Sequence, residues 1–554
     1  MLRYIEHKNC CYIVIDKAFQ EDDIPTLEML FEKHYEHYEV KIVSLYTLNA
    51  SLVKLLGYYQ PLRNLSLVTD RMRVSRYLHS LGIETMLHFD ERLERAFINV
   101  DADVILIGGS AKSSKHILAI LGAIDITKYI VVIIQHIGTQ TKHSFDTLIA
   151  ENLGLHVSYA KDAEAFEKGK VYLAPAGKHL LVKDGMALLE ESQEVHGAKP
   201  SISVAFKSFG TYYKERLCVV LECGYTDDGV DALEDLYDLK SCVVIHKPSE
   251  CGDASTMPCE AVATKKFHYL LDTQEMVDFF SILSEKYTKE NLVKYFLKKV
   301  YEIYEYNYEE YDANMLKRRI ELFEIKYSIE DRRLFVLLVL YNKVFFKLFF
   351  LEVSINVSEF FRSPSDLKNL MEVLVPFKNN YNIKIWSAGV SNGKEAYSLA
   401  MLLEGASLLE KTLIYATDFN PVVLNEAKNA LYGISEYSKA KDNVQKLHSA
   451  LSLDDYFIQH NGFVEVDERI KKRVMFFVHN LQSDSSFNEF DVIVCRNVLI
   501  YFTPELQKKV FQLFYDSLKF GGYLLLGADE FLLSDFEEQF YLCSPESKLY
   551  KKVK

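Results

Sequence analysis

Residues 383–403 read IKIWSAGVSNGKEAYSLAMLL. A short apolar run gives way to a loop carrying Gly389 and Gly393, and the loop to a helical pattern of apolar residues. Strand, glycine loop, helix is the opening unit of a parallel α/β sheet with a cofactor crevice at its strand ends. The next strand, TLIYATD, ends in Asp418, placed to bond a ribose diol while the glycine loop lets backbone approach the ligand. A third strand, FDVIVCRN, delivers Asn497, whose amide suits an adenine edge or the amino-acid portion of a cofactor. These residues alone fit a nicotinamide dinucleotide or S-adenosylmethionine, and the lack of G-x-G-x-x-G weighs against the first.

Outward from that stretch, the chain reads as four regions. Residues 1–98 alternate short β-like runs (YIVID, KIVSL, LSLVT) with helical patterns. Residues 99–280 restart with DVILIGG and alternate again through YIVVIIQH, VYLAP, CVVLEC and CVVIHKP. Residues 281–350 are helical in pattern, and residues 351–554 form a third α/β unit with a small inserted subdomain between Tyr432 and Val474. The expected fold class is α/β: several doubly wound, Rossmann-like parallel-sheet domains with a small all-helical domain between them.

Composition narrows the function. With 64 Lys+Arg against 78 Asp+Glu the net charge is −14, which opposes non-specific binding to nucleic acid. The nine cysteines include no CxxC pair, so neither a disulfide framework nor a metal site is expected, and reduced thiols in the cytoplasm are the simpler reading. The start, MLRYIEHKNCCY, lacks the apolar core of a signal peptide. The apolar stretch at 334–353 is interrupted by Lys343 and Lys347, which predicts a buried helix running into a strand rather than a membrane span.

In the second region Ser110 follows VILIGG, His136 follows IVVIIQ, and Asp228 lies in the turn GYTDDG after LCVVLEC. Strand ends of a parallel sheet line one crevice, so a nucleophile, a base and an orienting acid can converge there. The runs ILIGGSAKSSKHI, VVIIQHIG, KGKVYLAPAGKHLLV, KPSISVAFKSFG, VVLECGYTDDGVDAL and STMPCEAV resemble, in order, the chemotaxis receptor methylesterases of the CheB type. The resemblance implies hydrolysis of glutamate methyl esters, with Ser110 as nucleophile, His136 as general base and Asp228, rather than its neighbour Asp227, as the orienting acid. Where that family has small residues this chain has Ala111, Lys112, Ser113 and Ser114, and Cys223, Gly224, Tyr225 and Thr226 fill the turn before the acid. The catalytic residues persist in an altered frame, so an inert module remains an alternative.

The segment INVSEFFRSP at 355–364, with IWSAGVSNGKEAYSLAM, IYATDFN, VHNL, FDVIVCRNVLIYF and LKFGGYLLLGADE, resembles the chemotaxis receptor methyltransferases of the CheR type. That resemblance implies methyl transfer from S-adenosylmethionine to receptor glutamates, leaving S-adenosylhomocysteine. It assigns cofactor contacts to Asn356, Ser358, Arg362, Gly389, Glu395, Asp418, Asn480, Leu481, Asn497 and Val498. Arg362 also suits the incoming carboxylate, because a planar guanidinium matches one, and Tyr501 lines the transfer site. The two resemblances together imply a bifunctional cytoplasmic protein acting on methyl-accepting chemotaxis receptors or similar helical signalling proteins, alongside other chemotaxis proteins. A methyltransferase with an inactive docking esterase, and a non-catalytic scaffold, are the alternatives. The basic run Lys317, Arg318, Arg319 is either a solvated helix face or a docking surface for an acidic receptor helix. Residues 1–98 resemble a degenerate receiver-like module: neither Asp16 nor Asp70 stands in a convincing phosphoacceptor setting.

Overall fold

A computed structural model describes residues 2–554 apart from 8–9, 16–18, 34, 36, 43–47, 63–64, 70–73, 75–76, 80, 82, 84–85, 88–96, 137–144, 354–357, 380–381, 448–450 and 461–462. The chain gathers into two compact units, one of Glu91–Glu309 and Lys317–Val353, the other of Met1–Asp90, Glu310–Leu316 and Ser354–Lys554.

The first unit is built on seven parallel strands, in spatial order Tyr269–Leu271, Cys242–His246, Leu217–Leu221, Val104–Ser110, Ile130–His136, Val171–Leu173 and Val157–Tyr159. The order reverses at Val104–Ser110, whose partners are the next strand on one side and the Leu217–Leu221 strand on the other. Crevices open at such a switch point because successive crossovers leave it in opposite directions. The central strands are buried along their length apart from His136 at the end of one, which is why they read as unbroken apolar runs rather than alternating ones.

Helices Lys289–Tyr304, Arg332–Tyr341 and Lys343–Val353 belong to the same unit. The stretch expected to pass from helix into strand is instead two helices, bent 106° apart at Asn342. The break has a local cause: Asn342 leaves helical geometry, and its Oδ1 accepts from Val344 N–H at 3.0 Å, restarting the helix. Both helices bury their apolar residues, and among the described residues no single helix is long and apolar enough to cross a membrane.

In the second unit another seven-stranded sheet runs Val474–Val478, Thr412–Asp418, Ile383–Ala388, Phe490–Cys495, Leu518–Leu526, Leu549–Lys552 and Phe540–Ser544. The first five strands are parallel, Leu549–Lys552 runs antiparallel to them between Leu518–Leu526 and Phe540–Ser544, and the order reverses at Ile383–Ala388. A three-stranded antiparallel sheet of Leu431–Gly433, Phe463–Val466 and Phe457–Gln459 is inserted between its strands.

Near the N-terminus, Leu2–His7 and Cys10–Ile15 form an antiparallel pair, extended in parallel by His37–Ile42, Leu65–Thr69 and Met86–Leu87. Among the described residues these strands run in chain order with no reversal, whereas a receiver-type sheet reverses beside its first strand. Asp16 and Asp70 lie outside the described residues. Leu431 and Phe463 of the inserted sheet pack into the core of this module, and Lys54 pairs with Glu465 at 2.8 Å.

Candidate functional site

Two crevices sit at the two switch points. In the first unit, the parallel pairing of Val104–Ser110 with Ile130–His136 sets Ser110 directly beside His136 at their carboxyl ends. The pair Gly108–Gly109 is required by close approach: a Cβ on Gly109 would lie 2.5 Å from Ser113 Oγ and 2.7 Å from Glu222 Cβ. Ser110 ends the strand as the cap of a short helical turn.

His136 Nε2 lies 2.8 Å from Asp228 Oδ2. An ionised carboxylate only accepts, so Nε2 carries the proton and Nδ1 keeps the lone pair of a base. Asp228 is fully buried, and it accepts in addition from Ser201 Oγ at 2.7 Å, Ile202 N–H at 2.7 Å and Ser203 N–H at 2.9 Å. Those amides open helix Ile202–Tyr213, whose N-terminal end favours an anion. Burial by itself raises the carboxyl, but the bonds from His136, Ser203, Ser201 and Ile202 outweigh it and hold Asp228 below the usual aspartate value. Asp227 instead faces solvent and meets His196 Nδ1 at 3.0 Å.

The serine is turned elsewhere. Ser110 Oγ donates to the Cys223 carbonyl at 3.0 Å, and Ser110 N–H donates to the same oxygen. Among the described residues it makes no bond to His136, so attack needs a rotation of the hydroxyl toward Nδ1. Cys223 is also joined to Cys251, which corrects the expectation of reduced thiols throughout. The pairing is invisible to spacing rules because 28 residues separate the two.

In the second unit, Gly389 has φ +75°, and a Cβ there would sit 2.4 Å from Val498 Cγ2. Backbone comes close at this point because no side chain stands in the way. Asp418 ends its strand half-turned into the loop: Oδ2 accepts from Ser391 N–H at 2.8 Å and Oδ1 from Asn420 N–H at 2.9 Å. The carbonyl of Asp418 accepts from His479 N–H, which brings the Asn480–Leu481 turn alongside. Asn480 Oδ1 closes that turn onto Gln482 N–H at 3.0 Å, and Leu481 packs half-buried against the apolar residues beneath. Asn497 has φ +62°, held by its neighbours rather than by its own side chain.

What holds it was not legible in the sequence. Glu530, buried at the end of LLLGADE, accepts from Asn497 N–H at 2.9 Å, Val498 N–H at 2.7 Å, Leu499 N–H at 2.7 Å and Gly527 N–H at 2.6 Å. Arg496 is the second such residue. Its guanidinium reaches Glu395 Oε2 at 3.2 Å, Asp366 Oδ2 at 3.1 Å and the Arg362 carbonyl at 2.8 Å. Burial pushes the Glu395 and Asp366 carboxyls up while Arg496 pulls them down. The only sequence signal for either residue is a charge at an otherwise apolar strand end.

Glu395 also accepts from Ser387 Oγ at 3.1 Å, so its carboxylate braces the loop. The Arg362 guanidinium has no partner among the described residues. The Ser358 carbonyl accepts from Lys394 Nζ at 3.1 Å, Tyr501 closes the short helix Leu499–Tyr501, and Asn356 lies outside the described residues. Among the described residues, Ser391 Oγ, Asn392 Oδ1 and Asn420 Nδ2 are buried without partners beside Asp418. Unpaired buried polar atoms around a glycine cradle are what a polar nucleoside ligand requires. These residues fit S-adenosylmethionine.

Comparison with known proteins finds relatives for the two segments that carry these sites. Residues 105–280 match the family model of CheB methylesterase, and residues 356–549 match that of the CheR methyltransferase, SAM binding domain. S-adenosylmethionine is therefore the cofactor of the second of these domains. The Cher3 protein of Pseudomonas putida is 31% identical over 269 residues, 47% of this chain and 96% of that protein. A chemotaxis protein methyltransferase of Listeria monocytogenes is 32% identical over 227 residues, 40% of this chain and 84% of that protein. Among solved structures, the CheB methylesterase catalytic domain of Thermotoga maritima aligns at 19% identity and TM-score 0.30, covering 32% of this chain and 98% of that one.

Proposed function

The chain belongs to the CheR methyltransferase family and joins a CheB methylesterase domain to it, and on that premise we propose that it both writes and erases methyl esters on glutamate side chains of chemotaxis receptors or similar helical signalling proteins in the cytoplasm. The observation that carries the reading is the presence in one chain of two separate switch-point crevices, one with the His136–Asp228 pair and the other with the Gly389 cradle beside Asp418.

When bound, S-adenosylmethionine supplies an electrophilic methyl group. Asp418 would accept hydrogen bonds from its ribose hydroxyls, and Asn497, Val498, Asn480 and Leu481 would hold its base. Arg362, with Ser358 and Asn356, would receive carboxylate groups, those of the cofactor and of the incoming glutamate. Tyr501 walls the transfer site. A glutamate carboxylate is already nucleophilic, so the chain's contribution is alignment and exclusion of water. In the esterase crevice, His136 Nδ1 takes the Ser110 proton, Asp228 holds the imidazolium that forms, and backbone N–H groups of the turn after Ser110 meet the oxyanion. Lys317 and Arg318, exposed on helix Ala313–Lys326, suit an acidic receptor helix.

One observation favours a second reading, a live methyltransferase with a silent esterase: the Ser110 hydroxyl is committed to the Cys223 carbonyl. Methanol release from methylated receptor, compared between the native chain and Ser110→Ala, separates the two. Release lost in the variant supports the eraser, and equal release in both removes it.

A further inference from the structure

Beneath Ser110 lies a cluster that neither reaction uses. His116 comes from helix Ser114–Ala123, Glu222 and Cys223 follow strand Leu217–Leu221, and His246 ends strand Cys242–His246. One ligand atom from each lies within 4.8 Å of all the others. Cys223 Sγ is 3.6 Å from His116 Nδ1 and 3.6 Å from His246 Nδ1. Glu222 Oε2 is 3.5 Å from His116 Nδ1 and 2.6 Å from His246 Nδ1.

We propose that His116, Glu222, Cys223 and His246 form a site for one divalent transition-metal ion of the zinc type, open when Cys223 is a thiol and closed when it is joined to Cys251. Four donors about 2.0–2.3 Å from a tetrahedral ion stand about 3.3–3.8 Å apart. The two sulfur–nitrogen separations and the His116–Glu222 separation already have that spacing, the His246–Glu222 hydrogen bond has to lengthen, and the remaining two pairs lie within 4.8 Å. Two imidazoles, a thiolate and a carboxylate suit zinc, cobalt or ferrous iron and not magnesium or calcium.

Two further observations point to a ligand. Glu222 is completely buried, and its Oε1 has no hydrogen-bond partner among the described residues. His246, equally buried, presents its other nitrogen, Nε2, to Glu250 Oε2 at 3.1 Å, the outer carboxylate that commonly orients a metal-bound histidine. His116 is partly exposed and gives an ion a path inward. The four donors span residues 116 to 246, so no linear spacing betrays them.

Opening the site takes two electrons and two protons from a dithiol, which closes to its own disulfide while the Cys223–Cys251 bond breaks to two thiols. Cys223 then passes its proton to water as its sulfur bonds the ion. The consequence reaches the esterase crevice, because the Cys223 carbonyl holds both the N–H and the hydroxyl of Ser110.

The test uses the full chain, reduced with a dithiol, freed of it under anaerobic conditions and titrated with cobalt(II). The site predicts one cobalt per chain with the visible bands of four-coordinate cobalt and a thiolate-to-cobalt charge-transfer band. Binding is expected to be at least tenfold weaker in the oxidised chain. Cys223→Ser removes the charge-transfer band, His246→Gln weakens binding at least tenfold, and Cys259→Ser changes neither. Should His246→Gln fail to fold, His116→Gln at the partly exposed edge makes the same measurement. No cobalt uptake by the reduced chain, or a charge-transfer band that survives Cys223→Ser, overturns the proposal.

Discussion

His136 Nε2 and Asp228 Oδ2 stand 2.8 Å apart, joining a strand end to a turn 92 residues further along the chain. The acid is saturated by a helix N-terminus, so its charge is fixed and the imidazole is the one partner left to orient. Asp228→Asn keeps the shape and loses that charge. Methanol release from methylated receptor is expected to fall on the order of 10³–10⁴-fold, while Asp227→Asn, on the surface, leaves it near native. Equal losses in the two variants would contradict the assignment.

The same acid gives a pH signature. Its folded value is held below the ordinary aspartate value of about 3.9, so its stabilisation is present above that value. It is lost as pH falls through the lower folded value, where the carboxyl protonates in the folded state too. Melting curves of the native chain and Asp228→Asn should therefore differ most near pH 6 and converge in acid. A gap that widens on acidification would reverse the sign of this argument.

How much of this was legible follows from where each residue's partners lie. Ser110, His136 and Asp418 end strands, Gly389 and Asn497 follow them within two residues, and Asp228 lies in the turn after one; strands announce themselves as apolar runs of fixed period. Arg496, Glu530, Ser201 and Ser203 act through backbone amides and carboxylates brought in by the fold, and no periodicity marks such partners. The Cys223–Cys251 bond and the second helix after Asn342 were missed for the same kind of reason. One depends on spatial neighbours, and the other on a single side chain recapping a helix inside an apolar stretch.

Glu530 positions the second crevice through four backbone N–H groups. In Glu530→Gln the amide nitrogen faces donors, which costs about 2–4 kcal/mol of stability in that unit. Calorimetric titration with S-adenosylhomocysteine should show affinity lower by about tenfold or more. Unchanged affinity would remove Glu530 from the account of the loop.

Gly389→Ala sets a Cβ at 2.4 Å from Val498 Cγ2 on a backbone with φ +75°. Strain of about 1–3 kcal/mol is expected there. Because Val498 helps form the crevice wall, cofactor affinity should drop with it. A variant that melts and binds like the native chain would mean that the loop relaxes freely.

The most direct test of the central claim follows one methyl group through both crevices. The full chain is incubated with methyl-labelled S-adenosylmethionine and receptor fragments, and labelled ester and labelled methanol are counted over time. The account predicts ester that appears and then gives way to methanol, ester that accumulates without methanol in Ser110→Ala, and neither product in Arg362→Ala. Methanol unchanged in Ser110→Ala, or ester formed undiminished in Arg362→Ala, would contradict it.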